Sequence, residues 1–148
     1  TKLGYMMLAN FDVYQPRTFM HSVTFIALGH AFPAALGAKV AYPNRQVVAV
    51  CGDGGFMMTC QELATALQHK INVVAIVMND RALTAIKSIQ DRTYGGRHTA
   101  VELKNPDFVK FAESFGARGR RIEKIEQFQP ALIEALATDV PTLIEVVL

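Results

Sequence analysis

The chain has no tryptophan, two cysteines in 148 residues, and only 19% charged side chains. Each scarcity argues against something. Cys51 and Cys60 stand nine apart, without metal spacing or a secretory segment, so reduced thiols in a cytoplasmic protein are expected in place of a disulfide framework. The histidines (His21, His30, His69 and His98) are scattered and show no zinc pattern. A net charge of +2 is too small to imply a nucleic-acid partner. The one basic cluster, Arg118, Arg120, Arg121 and Lys124, has no interleaved aromatic residues and reads as a solvated face. Long apolar runs are also missing. Phe25 to Tyr42 comes nearest to a membrane span, but His30, Pro33 and Lys39 interrupt it, and a buried helix explains it better. Neither a targeting peptide nor an internal repeat is found. What is present in quantity is apolar side chain, 51% of the total. That composition predicts one domain with a real core and a surface partly covered by other domains or subunits.

The organising stretch is residues 51 to 83. An apolar run, Val47 to Cys51, stops at Gly52-Asp53-Gly54-Gly55; a helical pattern follows; a second run, Val73 to Met78, stops at Asn79-Asp80. Asp-Gly between apolar stretches is also a hairpin signal. Here Thr59-Cys60-Gln61-Glu62 reads as a capping box, and Cys60, Leu63, Ala64 and Leu67 repeat at helical spacing, so the chain enters a helix instead of a returning strand. If the two strands are parallel neighbours, Asp53 and Asn79-Asp80 emerge together at the carboxyl edge of the sheet, where open α/β sheets bind ligands. Glycines around one aspartate let backbone N-H groups approach an anion, and carboxylate and amide oxygens suit Mg²⁺. The stretch therefore reads as a cradle for a metal and a diphosphate.

Gly52-Asp53-Gly54 followed some two dozen residues later by Asn79-Asp80 resembles the motif of thiamine-diphosphate-dependent enzymes, with Gln61 to Ala66 matching the intervening helix. Leu28 to Ala38, Asn105-Pro106-Asp107-Phe108 and Pro141 to Val146 resemble the acetolactate synthase branch. The resemblance implies a three-layer α/β/α fold with a mainly parallel sheet, the whole of 1–148 being the diphosphate-binding domain. It implies thiamine diphosphate and Mg²⁺ as cofactors and leaves FAD undetermined. Metal ligands would be Asp53, Asp80, twenty-seven residues on, and the carbonyl of Ala82, with Asn79 as second choice for Asp80. The segment holding Ile26, Leu28 and Gly29 would meet the pyrimidine ring. Leu28 would wedge the cofactor into a V, and Ile26 replaces the family's usual glycine. Gly52, Gly54, Gly55 and Phe56 would surround the diphosphate, and Leu83 would border the site. His30, next to Leu28, could touch substrate, although a packing role is the commoner one for such a histidine.

The implied reaction is decarboxylation of a small 2-oxo acid followed by ligation or release of the product, the cofactor supplying the carbanion chemistry. The glutamate that activates the cofactor belongs, in the family, to a pyrimidine-binding domain, in cis or in another subunit. No residue here matches it, so catalysis by the isolated chain is not expected, and a homo-oligomer is. Ile86 stands where pyruvate-decarboxylase-like members carry glutamate, and Ile89 where biosynthetic acetolactate synthases carry tryptophan. The alternative is a non-catalytic remnant that holds a diphosphate or nucleotide, or only oligomerises; the departures at Ile26 and Asp80 favour it.

The remaining segments carry simpler expectations. Thr1 to Asn10 is a strand or a helix, and the acidic strand with which the family usually opens this domain is not found. Thr18 to Ile26 suits a short strand. A helix containing Pro33 in its first turn runs to about Tyr42, and another runs from Leu83 to Gln90. Arg92 to Lys104 reads as a mobile loop near the site. Asn105 caps a helix with Pro106 at its first position, whose stripe is Phe108, Phe111, Ala112 and Phe115 before Gly116. A strand near Arg121-Ile122, a helix from about Glu126 to Ala137 and a strand over Thr142 to Val147 complete the sheet as structural elements.

Overall fold

The computed structural model describes residues 2–22, 25 and 27–148, apart from the Lys2 side chain. Its sheet comprises β1 (Val48–Gly52), β2 (Val74–Asn79), β3 (Arg118–Ile122) and β4 (Thr142–Val147). The strand order is β1-β2-β4-β3 and every pair is parallel. The central strands, VAIVMN and TLIEVV, are near-continuous apolar runs, as strands covered on both faces must be. The edge strand β3 reads RGRRI, and charges of this kind discourage an edge from pairing with another chain.

Helices α1 (Lys2–Asn10), α2 (Ala31–Ala41), α3 (Asp53–Met57), α4 (Glu62–Gln68), α5 (Thr84–Tyr94), α6 (Phe108–Phe115) and α7 (Phe128–Leu136) complete the chain, with a 3₁₀ turn at Ile125–Gln127. Side chains alternate across the strands and build two apolar layers. On one face Ala49, Cys51, Ala75, Val77 and Leu143 pack with Phe32 and Leu36 of α2, Leu63 and Ala66 of α4, and Phe108 and Ala112 of α6. On the other, Val74, Ile76, Ile122 and Ile144 pack with Ala131 and Ala135 of α7. Three fully buried rings join the first layer: Phe56 lies 5.4 Å from Phe32 and 5.9 Å from Phe108, centroid to centroid. Burying such a side chain contributes roughly 1.5–3 kcal/mol, so Phe56 anchors α3 to the core.

Several local expectations fail for identifiable reasons. Among the described residues of 18–26 none is in a strand. The opening segment is no failure: of the two readings left open, strand or helix, the helix forms, as α1. The Thr59 capping box does not form, because the Thr59 hydroxyl donates to the carbonyl of Gly29 at 2.9 Å, and α4 starts from Gln61 without a side-chain cap. Helix α6 is capped by Asp107, not Asn105: the Asp107 carboxylate accepts from the N-H groups of Val109 and Lys110. Gly116 ends α6 at φ 93°, a conformation glycine adopts freely. The expected loop from Arg92 is helical to Tyr94. It is then pinned to the turn after β2, Leu83 N-H donating to the Val101 carbonyl and Leu103 N-H to the Arg81 carbonyl, both at 2.8 Å.

Candidate functional site

The register sets the site. Gly52, last in β1, pairs with Met78, so Asp53 and Asn79-Asp80 leave the sheet at the same carboxyl rim. Asp53 is 1% exposed and Asn79 4%. Asn105 lies between them, its Nδ2 donating to Asp53 Oδ2 at 2.7 Å and to Asn79 Oδ1 at 2.8 Å. Asp53 Oδ1 accepts from the N-H of Gly54 at 2.8 Å. Burial pushes the Asp53 carboxyl above its usual range; the bonds from Asn105 and Gly54 pull it back, and the neighbouring Asp80 charge adds to the rise. A buried acid of this kind gains from a cation, which cancels the desolvation cost of its charged form.

Asp80 closes the turn after β2: Oδ1 accepts from Ala82 N-H at 3.1 Å and Oδ2 from the Thr84 hydroxyl. Ala82 faces Glu102 across an antiparallel bridge. The bonds of that bridge are made by residues 81, 83, 101 and 103, the wide-pair pattern, which turns the Ala82 carbonyl away from residue 102. Two leucines crowd the turn after β1. A Cβ added to Gly54 would lie 2.8 Å from Leu83 Cδ2 and 3.0 Å from Leu103 Cδ1, so only glycine fits without displacing them.

The 27–30 segment docks against the same turn. Gly29 sits at φ 95°, and a Cβ there would lie 3.1 Å from Met58 Cβ and 3.2 Å from Thr59 Cγ2. Leu28 is 43% exposed, and its Cδ1 would be 3.4 Å from a Cβ on Gly55. Ile26 lies outside the described residues. His30 precedes α2, is exposed and makes no side-chain capping bond. Ile86 and Ile89 of α5 are about half exposed.

Sequence reasoning missed the polar ground behind the rim. Asn79 Nδ2 donates to Glu145 Oε1 at 2.6 Å. The Glu145 side chain, in a strand read as purely structural, is almost wholly buried, and its Oε2 accepts from Arg121 Nε at 2.8 Å. Arg121 also donates through Nη2 to Asp107 Oδ1 at 2.8 Å. The four basic residues of the cluster are exposed, as a solvated face requires, but Arg121 is ion-paired as well as solvated, and Arg118 pairs with Glu134. A glutamate amid the apolar run Thr142 to Val147 was the available signal, since a buried charge is kept only with a partner.

Among the described residues no three His, Cys, Asp or Glu side chains gather into a metal set. The oxygens at the rim are those of Asp53, Asp80 and Asn79 and the carbonyl of Ala82. So few carboxylates fit a hard cation that takes its other ligands from phosphate and water, which is how Mg²⁺ is usually held. No helix among the described residues is long and apolar enough to cross a membrane.

Comparison with known proteins bears on the family and the fold. The family model described as thiamine pyrophosphate enzyme, C-terminal TPP binding domain, matches residues 3–146. A probable acetolactate synthase large subunit of Methanococcus aeolicus is 42% identical over 136 residues, 91% of this chain and 23% of that protein. The acetolactate synthase of Bacillus subtilis is 40% identical over 136 residues, 92% of this chain and 24% of that protein. A solved structure, the thiamine diphosphate-dependent 4-hydroxybenzoylformate decarboxylase of Rhodococcus jostii RHA1, superposes with a TM-score of 0.76 at 39% identity, covering 80% of this chain and 23% of that one. The chain thus spans about a quarter of the length of these relatives. It belongs to the thiamine pyrophosphate enzymes, as their C-terminal TPP-binding domain.

Proposed function

We propose that this chain holds thiamine diphosphate through Mg²⁺ at the carboxyl rim of β1 and β2, as part of an enzyme that decarboxylates a 2-oxo acid and ligates or releases the product. The observation that carries the reading is the meeting of the buried Asp53 carboxylate with the Asp80 turn at one rim. Asp53, Asp80 and the Ala82 carbonyl are the metal ligands. Asn79 stands second for that role: it offers a neutral amide oxygen that faces Asn105, where Asp80 offers a carboxylate, and its nitrogen is committed to Glu145. Gly52 and Gly54 keep the turn slim; the backbone of Gly55 and Phe56 faces the diphosphate, while Leu28, Gly29 and Leu83 border the rings. When bound, thiamine diphosphate supplies the stabilised carbanion that the reaction needs. This chain orients the cofactor and excludes water from its diphosphate.

The activating glutamate comes from a pyrimidine-binding domain in cis or in trans, for which relatives some four times longer have room. Leu28, Met58, Ile86 and Ile89, apolar yet about half exposed, supply surface for that domain or for a second copy of the protein. A small 2-oxo acid is the substrate, and the cytoplasm the compartment. Titration calorimetry of thiamine diphosphate with Mg²⁺ into the full-length protein tests the reading. Saturable binding that Asp53→Ala abolishes is expected; equal binding by both proteins, or by neither, would leave a non-catalytic module.

A further inference from the structure

Five side chains behind the rim form one hydrogen-bonded line, Arg121 to Glu145 to Asn79 to Asn105 to Asp53, with separations of 2.8, 2.6, 2.8 and 2.7 Å. The strand register builds its first half. Arg121 of β3 pairs with Glu145 of β4, and Glu145 pairs with Val77, two residues before Asn79 and on the same face. The line has a direction. A guanidinium can only donate and a carboxylate can only accept, so both ends are fixed. Glu145 takes N-H groups from both neighbours, which obliges Asn79 to turn its nitrogen toward β4 and its oxygen toward the rim. That oxygen in turn obliges Asn105 to present its nitrogen, and the same nitrogen reaches Asp53.

We infer that Glu145, oriented by Arg121, is a positioning residue for the metal site: it sets the sense of two amides in series and so holds the Asp53 carboxylate for the cation. The inference rests on the reading of Asp53 as a metal ligand. Its chemistry is exposed by an isosteric change. In Glu145→Gln a single oxygen remains to accept from two donors. If Arg121 keeps that oxygen, the new amide nitrogen meets Asn79, which must turn its oxygen to it and its nitrogen to Asn105. Asn105 then turns its own oxygen to the rim, where two acceptors face each other at Asp53. Loss of an outer-shell partner of a metal ligand typically weakens metal binding by about 10- to 100-fold.

The test is calorimetric binding of Mg²⁺ with thiamine diphosphate to the full-length protein, made as wild type, Asp53→Ala, Glu145→Gln, Asn105→Ala and the double variant Glu145→Gln/Asn105→Ala, with unfolding midpoints recorded alongside. Glu145→Gln is expected to weaken binding by about tenfold. With Asn105 already removed, the same change is expected to add less than about twofold, because its effect travels through that amide. A merely structural role for Glu145 would give the same loss in both backgrounds, and that result, or undiminished binding by Glu145→Gln, would overturn the inference. Tight wild-type binding abolished by Asp53→Ala would in either case keep the reading of the metal site; absence of wild-type binding would overturn both.

Discussion

Asp53 and Asp107 stand at opposite ends of one connected set of hydrogen bonds, and their carboxyl groups are displaced in opposite directions. Asp53 is buried at the rim, where desolvation outweighs the bonds it accepts and raises it. Asp107 lies nearer solvent at the start of α6, where the backbone N-H of Lys110 foremost, and then the Arg121 charge, lower it. One carboxylate is satisfied by the protein as it stands. The other carries a desolvation cost that a bound cation would relieve, which is why the functional reading rests on Asp53 and the structural one on Asp107.

The largest way to break this comparison is to remove each acid and measure binding of thiamine diphosphate with Mg²⁺ by calorimetry. Asp53→Ala is expected to weaken it by at least about 100-fold, more than loss of an outer-shell group would. Asp107→Ala should weaken it far less, since Arg121 keeps Glu145. A smaller effect concerns stability without metal. The raised Asp53 carboxyl means that its stabilising contribution is complete in acid and is lost as pH rises from the ordinary 3.8 through the raised value. In thermal melts of the metal-free protein, the advantage of the wild type over Asp53→Ala should therefore be largest in acid and shrink as pH rises through the raised value, and added cofactor should stabilise the wild type alone.

Asp107 carries the opposite sign. Its contribution is present above 3.8 and is lost as pH falls through the lowered value, so the deficit of Asp107→Ala in thermal melts should be open at neutral pH and close in acid. The smallest effect sharpens what burial does unaided. Cys51 has only desolvation acting on it, and its thiol is pushed up to about 12. In timed labelling of the native protein with a thiol reagent at neutral pH, the half-buried Cys60 should react first, with Cys51 waiting on unfolding.

The sheet and the rim were legible in the sequence because they follow from patterns that are local. Apolar runs ending at Gly52-Asp53 and at Asn79-Asp80 announce two strands and the edge where they stop, and the helix between them is the crossover that a parallel pair needs. The second ring of the site was not legible. Asn105 beside Pro106 looks like a helix cap, and only the fold shows that Asp107 takes that role and frees the asparagine for Asp53 and Asn79. Arg121 is exposed like the basic residues around it, and its pairing with Glu145 depends on the register of β3 with β4, between residues 24 apart. Thr59 was misread for a similar reason: a tertiary acceptor, the Gly29 carbonyl, replaced the local one that its spacing suggested. Spacing reports neighbours along the chain, and these bonds join distant segments.

The most direct measurement is a crystal structure of the full-length protein with thiamine diphosphate and Mn²⁺ in place of Mg²⁺, read by its anomalous signal. The account predicts a peak within coordination distance of the Asp53 and Asp80 carboxylates and the Ala82 carbonyl, with Asn105 still joining Asp53 to Asn79. A cation held elsewhere, with those three oxygens turned away from it, would contradict it.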